Sequence, residues 1–143
     1  MSILGFSFNG SEVYLAFFSH EEEWQINAEK FTLSDDGGQS LRELYNYVEL
    51  YLDRIGKVDM FVLETTSSGP HMPSLARVKA EGVIDMAIND RGLGRILHKI
   101  KTQKRKKHYA RLPENPDWQR FRSIKYFAKI DQIAAYLILE GHV

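Results

Sequence analysis

Residues 2–19 read Ser2-Ile-Leu-Gly-Phe-Ser-Phe8-Asn9-Gly10-Ser11-Glu12-Val-Tyr-Leu-Ala-Phe-Phe-Ser19. Two apolar runs flank an Asn-Gly dipeptide, a strong hairpin signal. Residues 2–8 are therefore expected to form a short buried strand, and residues 12–19 its antiparallel return. His20 to Glu23 make a charged turn, and Trp24 to Leu33 alternate in part, as a third antiparallel strand would. Ser34, Asp35 and Ser40 are available as caps or turn formers in the loop that follows. Leu41, Leu44, Val48, Tyr51, Leu52 and Ile55 recur at three- and four-residue spacing, which predicts a helix, and Gly56 stands where it should stop.

The next run, Asp59-Met-Phe-Val-Leu-Glu64, is compact, apolar and closed by an acid. A helical crossover precedes it, so it is expected as a buried strand parallel to the first. Residues 65–73 (TTSSGPHMP) are a polar loop. Leu75, Val78, Val83, Met86 and Ala87 predict a second helix, with Gly82 a weak point inside it. Residues 91–107 are expected as a helix or extended arm, and Lys107 to Leu112 as a last strand before Pro113. Phe121, Ile124, Phe127, Ile130, Ala134 and Leu137 mark a closing helix. The order is a three-strand antiparallel meander followed by alternating α and β units. It predicts an α/β fold, a mixed sheet flanked by helices, in one domain over residues 1–143.

Composition narrows the function. There is no cysteine, so disulfide scaffolds, cysteine-ligated zinc and thiol chemistry are excluded. Hydrophobic residues make 43% of 143, with two Trp, seven Tyr and eight Phe, enough to build a core rather than a disordered chain. No apolar run approaches the roughly 20 residues that span a bilayer. The first ten residues have neither a basic region nor a small-residue cleavage site, so a soluble, cytoplasmic protein is expected.

The formal net charge of zero, from 19 Lys and Arg against 19 Asp and Glu, conceals an asymmetry. Residues 1–90 hold 15 acids and 6 Lys and Arg, whereas residues 91–143 hold 4 acids and 13 Lys and Arg. Arg91, Arg95, Lys99, Lys101, Lys104, Arg105, Lys106, Lys107 and Arg111 fall in one stretch without a single acid. Such a block is an electrostatic footprint for a polyanion, or a solvated segment that neutralises the acidic half. Tyr109, Trp118, Phe121 and Tyr126 flank it; aromatics among basic residues suit base stacking, or they anchor the last helix. The five histidines show no zinc spacing. Gly92-Leu93-Gly94 lacks the third glycine and the strand-to-helix context of a dinucleotide site, so its glycines are read as a break between helices. Ser67, Ser68 and His71 share a loop, but nothing marks a nucleophile and its base.

This order of elements resembles the ribonuclease H-like superfamily, and more particularly the RuvC-type Holliday-junction resolvases. That group opens on Ile-x-Gly-(Ile or Val)-Asp-Pro-Gly followed by a hairpin; the matching stretch is Ile3-Leu4-Gly5-Phe6-Ser7-Phe8-Asn9-Gly10. Its fourth strand ends in a catalytic glutamate, as Met60-Phe61-Val62-Leu63 ends in Glu64. A helix rich in small residues follows, as residues 75–83 do here. A terminal helix of the form Asp-Ala-x-Ala-x-Ala carries the last carboxylate, which fits Asp131-Gln132-Ile133-Ala134-Ala135-Tyr136-Leu137. The chain is also similar to small uncharacterised bacterial proteins of that superfamily.

The resemblance implies a metal site at Glu64 and Asp131, with Mg2+ or Mn2+ as cofactor, nucleic acid (DNA or RNA) as partner, and a possible homodimer. It also exposes a departure. The first-strand aspartate falls on Ser7, and a second terminal-helix acid falls on Ala128. Two-metal phosphodiester hydrolysis needs carboxylates to offset two divalent ions, and a serine hydroxyl is a neutral, poor Mg2+ ligand.

Each residue also has a plainer reading. Ser7 is a small core polar group, Glu64 an exposed strand-end acid or cap, and Asp131 an N-cap. Glu12 is expected away from the end of the first strand, and Asp59 at the opposite end from the site. The expectation is a nucleic-acid-binding protein with a degenerate nuclease site. The rivals are a divergent Mg2+- or Mn2+-dependent nuclease using Glu64 and Asp131, and a protein-interaction module.

Overall fold

A computed structural model of the chain describes residues 2–20, 24–65 and 75–101. The expected meander forms as β1 (Ser2–Asn9), β2 (Glu12–His20) and β3 (Trp24–Thr32). Then come α1 (Gly38–Ile55), β4 (Met60–Thr65), α2 (Leu75–Asp90), a 3-10 turn at Gly94–Ile96, and β5 (Leu97–Lys101). The sheet order is β3-β2-β1-β4-β5. β2 is antiparallel to both β1 and β3, while β4 runs parallel to β1 and to β5. The parallel half follows from the crossover through α1, which returns the chain to the starting edge of β1.

The hairpin turn sits one residue later than the Asn-Gly dipeptide suggests. Asn9 still pairs with Glu12, so the two linking residues are Gly10 and Ser11, and Gly10 takes a φ of +61°. That left-handed backbone is what a tight primed turn asks of its first residue, and glycine adopts it without a Cβ clash.

One face of the sheet packs on the helices. Leu4, Phe6 and Phe8 of β1, Leu15 of β2, and Phe61 and Leu63 of β4 join Leu44, Val48, Tyr51 and Leu52 of α1 and Ala80, Ile84, Ala87 and Ile88 of α2 in one buried cluster. The strand residues alternate and the helix residues recur at three and four, as each geometry requires. The intervening strand residues Ile3, Ser7, Met60, Val62 and Glu64 are buried as well.

α1 ends at Gly56, whose N–H reaches the Leu52 carbonyl at 3.1 Å with φ +76°. α2 ends in a Schellman motif: the Leu93 N–H bonds the Ile88 carbonyl at 3.2 Å, and the Gly92 N–H bonds that of Asn89 at 2.9 Å. Gly92 supplies the left-handed φ of +72° that this cap needs. The Gly-Leu-Gly stretch is thus a helix stop.

Two expectations are corrected. The buried stripe of α2 is Ala80, Glu81, Ile84, Ala87 and Ile88, whereas Leu75, Val78 and Met86 are 58%, 43% and 50% exposed. The small side chains of Ala80 and Ala87 let the helix lie close to the sheet, so the larger residues turn outward. The start of the basic segment, expected as a helix or extended arm, is extended, but as a strand paired into the sheet. Leu97-His98-Lys99-Ile100-Lys101 alternates, and it pairs with β4 from Phe61↔Leu97 to Thr65↔Lys101. The strand expected at 107–112 and the closing helix lie outside the described residues. No described helix is long and apolar enough to cross a membrane.

Candidate functional site

The site is built from the carboxyl ends of the two central parallel strands. Phe6 of β1 is the partner of Leu63 of β4. The next residues in each strand are Ser7 and Glu64, so the pairing brings the two expected site positions to the same end of the sheet. Both are buried, Ser7 at 1% and Glu64 at 0% exposure. That excludes the exposed strand-end reading of Glu64. An open sheet places its binding edge here, at the carboxyl ends of its parallel strands.

A buried carboxylate needs a partner, because burying an unmatched charge is prohibitive. Arg77 of α2 provides one. Its Nη2 donates to Glu64 Oε1 at 3.1 Å. Its Nε lies 3.6 Å from Oε1 of Glu81, one helical turn on. The guanidinium carbon sits 5.4 Å from the centre of the Phe8 ring, within cation–π range. Arg77 is only 18% exposed. One guanidinium is thus shared by two buried acids and held against an aromatic at the end of β1.

Sequence reasoning missed Arg77 and Glu81. The signal was present: Arg77, Glu81, Ile84 and Ile88 share one helical face, and a cation and an acid four apart on an apolar stripe form a pair.

Glu12 requires a correction. It pairs with Asn9, the last residue of β1, and therefore lies at the Ser7 end of the sheet. A two-residue turn brings the return strand back at once. Its carboxylate is already engaged: the Tyr14 hydroxyl donates to it, and Lys30 Nζ lies 3.3 Å away. These contacts, the Tyr14 hydrogen bond first, hold its pKa below the usual carboxylate value. Asp59 lies at the opposite end, as expected, where it accepts the Ser2 N–H at 2.8 Å.

The basic residues divide. Arg91 bonds Glu49 Oε2 through Nε at 3.1 Å and Asp53 Oδ1 through Nη2 at 2.6 Å, tying the end of α2 to α1. Lys99 pairs with Asp85 of α2 at 2.5 Å. Arg95 is exposed within the 3-10 turn. Lys101 closes β5 opposite Thr65, one residue from Glu64. Lys104, Arg105, Lys106, Lys107, Arg111 and Asp131 lie outside the described residues.

The donor set among the described residues does not fit a divalent ion. No group of three metal-ligating side chains occurs among the described residues. Ser7 offers a neutral hydroxyl, and Glu64 is matched to a guanidinium. Each unit of added positive charge about 4 Å from that guanidinium would meet about 4 kcal/mol of repulsion at an effective dielectric of about 20. A groove of about 360 Å3 between α1 and α2, lined by Leu41, Tyr45, Val83 and Met86 among others, includes none of the candidate site residues.

The fold is the one seen in RuvC-type Holliday-junction resolvases. The chain superposes on Thermus thermophilus RuvC with a TM-score of 0.73, at 13% identity over 99% of this chain and 97% of that one. The same protein in complex with a Holliday junction substrate gives 0.72 at 14% identity, covering 99% and 96%. The yeast mitochondrial Holliday junction resolvase gives 0.55 at 13%, covering 99% and 71%. No protein-family model and no curated protein sequence matches the chain.

Proposed function

We propose that this protein binds nucleic acid, branched DNA first among the candidates, through a nuclease-like fold whose catalytic centre is degenerate. The observation that carries this reading is the state of the strand ends: Ser7 stands beside Glu64, and Glu64 is held by Arg77 at 3.1 Å. The sheet has the layout of a resolvase, but position 7 offers a hydroxyl in place of a carboxylate, and the Glu64 carboxylate is paired with Arg77. Affinity then comes from phosphate contacts along the basic segment from Arg91 to Arg111. That segment enters the sheet next to β4 and carries no acid. A four-way junction has symmetry-related arms, and a homodimer in the cytoplasm would present two such edges to it.

The test is fluorescence anisotropy with four-way, duplex and single-stranded DNA, and with RNA, over a salt series. Binding should weaken with salt, with log K falling against log salt by about 0.9 for each phosphate contact on duplex DNA. Absence of binding at low salt to every substrate overturns the reading. So does Mn2+-dependent cleavage that Glu64→Gln abolishes, which would make the protein an active nuclease.

A further inference from the structure

We infer that the Arg77 guanidinium is the resident cation of this centre, holding beside Glu64 the role that a divalent metal would otherwise have, so that the site is closed to metal. The inference rests on the reading of the strand ends as a former nuclease site.

The charges support it. Glu64 and Glu81 are both buried acids, and between them stands one guanidinium in contact with each, at 3.1 and 3.6 Å. A divalent ion approaching Glu64 would have to displace that contact or settle against it. Displacement would turn a largely buried guanidinium away from both acids. Settling would set like charges side by side in a region of low exposure, where screening is weak. Ser7 adds no negative charge to favour the metal. Arginine is well suited to the position: its planar guanidinium donates to Glu64 through Nη2 while Nε faces the Glu81 carboxylate as an ion pair. The Phe8 ring, 5.4 Å from the guanidinium carbon, favours the delocalised cation as well.

The role needs both the ion pairs and the serine. An aspartate at position 7 would provide another negative charge near Glu64, and loss of Arg77 would remove a cation that contacts both carboxylates. The two changes together should open the site to a hard divalent cation.

The experiment titrates Mn2+ into the full chain. It reads the free ion by electron paramagnetic resonance and stability by thermal unfolding. Wild type should leave Mn2+ free and keep its Tm. Arg77→Met should lower Tm, and Mn2+ should recover part of that loss. Arg77→Met combined with Ser7→Asp should bind Mn2+ at least tenfold more tightly than Arg77→Met alone. Should either methionine variant fail to fold, Arg77→Lys, which keeps a cation, should remain as indifferent to Mn2+ as wild type.

Binding of Mn2+ by wild type that Glu64→Gln abolishes overturns the inference. Equal Mn2+ stabilisation of wild type and Arg77→Met overturns it too, as does Mn2+ stabilisation of Arg77→Lys. None of these readouts involves nucleic acid, so a failure to bind DNA leaves this result separate.

Discussion

Arg77 reaches the end of β4 from the first turns of α2 and meets Glu64 and Glu81 together. Removing one member of a buried ion pair strands the other, which costs more than the pair contributes. Arg77→Ala is therefore expected to lower unfolding free energy by about 3–5 kcal/mol. Glu64→Gln leaves the guanidinium matched by Glu81 and should cost about 1–2 kcal/mol. Urea unfolding distinguishes the two, and equal losses would mean that the contacts are not asymmetric in this way. Tyr51 raises a different question of burial. Its hydroxyl has no hydrogen-bond partner among the described residues. Burial, and after it the negative charge of Glu29, push its pKa up to about 12, against the opposing effect of Arg54. A phenol raised in the folded state contributes stability that is complete below its unfolded pKa near about 10. That contribution is lost as pH rises toward the folded value. Tyr51→Phe should accordingly lose stability less steeply than wild type between those two pH values, measured by denaturant unfolding. At neutral pH it deletes an unpartnered buried hydroxyl, so stability should hold or rise by up to about 1 kcal/mol. A fall would show that the hydroxyl has a partner.

Among the elements, α2 has one glycine within it and one just past its end, of opposite character. Gly82 is exposed within the helix, and an added Cβ would meet nothing within 4 Å. Gly82→Ala should stabilise by about 0.5–1 kcal/mol by restricting the unfolded backbone. Gly92 has the same open space but a φ of +72°. Gly92→Ala should instead cost about 1–2 kcal/mol, because a Cβ in the left-handed region meets the following carbonyl oxygen. Opposite shifts in thermal midpoint would verify both. The sequence made Gly56 legible as a helix stop and Gly92 only as a break, since nothing local to Gly92-Leu93-Gly94 says which way the chain turns. The strand Leu97–Lys101 was harder still. Leucine and lysine are good helix formers, and five residues of alternation carry little weight alone. Its pairing with β4 decides the matter, as sheet context commonly overrides propensity. The outward turn of Val78 and Met86 has a similar origin: only contact with the sheet reveals that the alanine face is the one that fits.

For the whole molecule, the separation of charge along the chain becomes partly internal. Acids of the first 90 residues take up Arg91 through Glu49 and Asp53, and Lys99 through Asp85. The basic segment thus begins as a clamp on the helices. Arg95→Ala and Lys101→Ala should each reduce the salt slope of DNA binding by up to about 0.9. Arg91→Ala should chiefly lower stability, since its guanidinium is already bound by two acids. A slope that changes only with Arg91 would reverse that division. By itself the sequence determined the meander, the crossover and the parallel strand that carries Glu64 next to its last residue, because alternation, helical spacing and turn residues are local properties. Tertiary structure alone decided that Ser7 and Glu64 lie at the same end of the sheet, that Glu12 lies at that end, and that Arg77 stands against Glu64. Those facts depend on strand register and on which face of α2 is buried, and both are settled by packing between residues far apart in the chain.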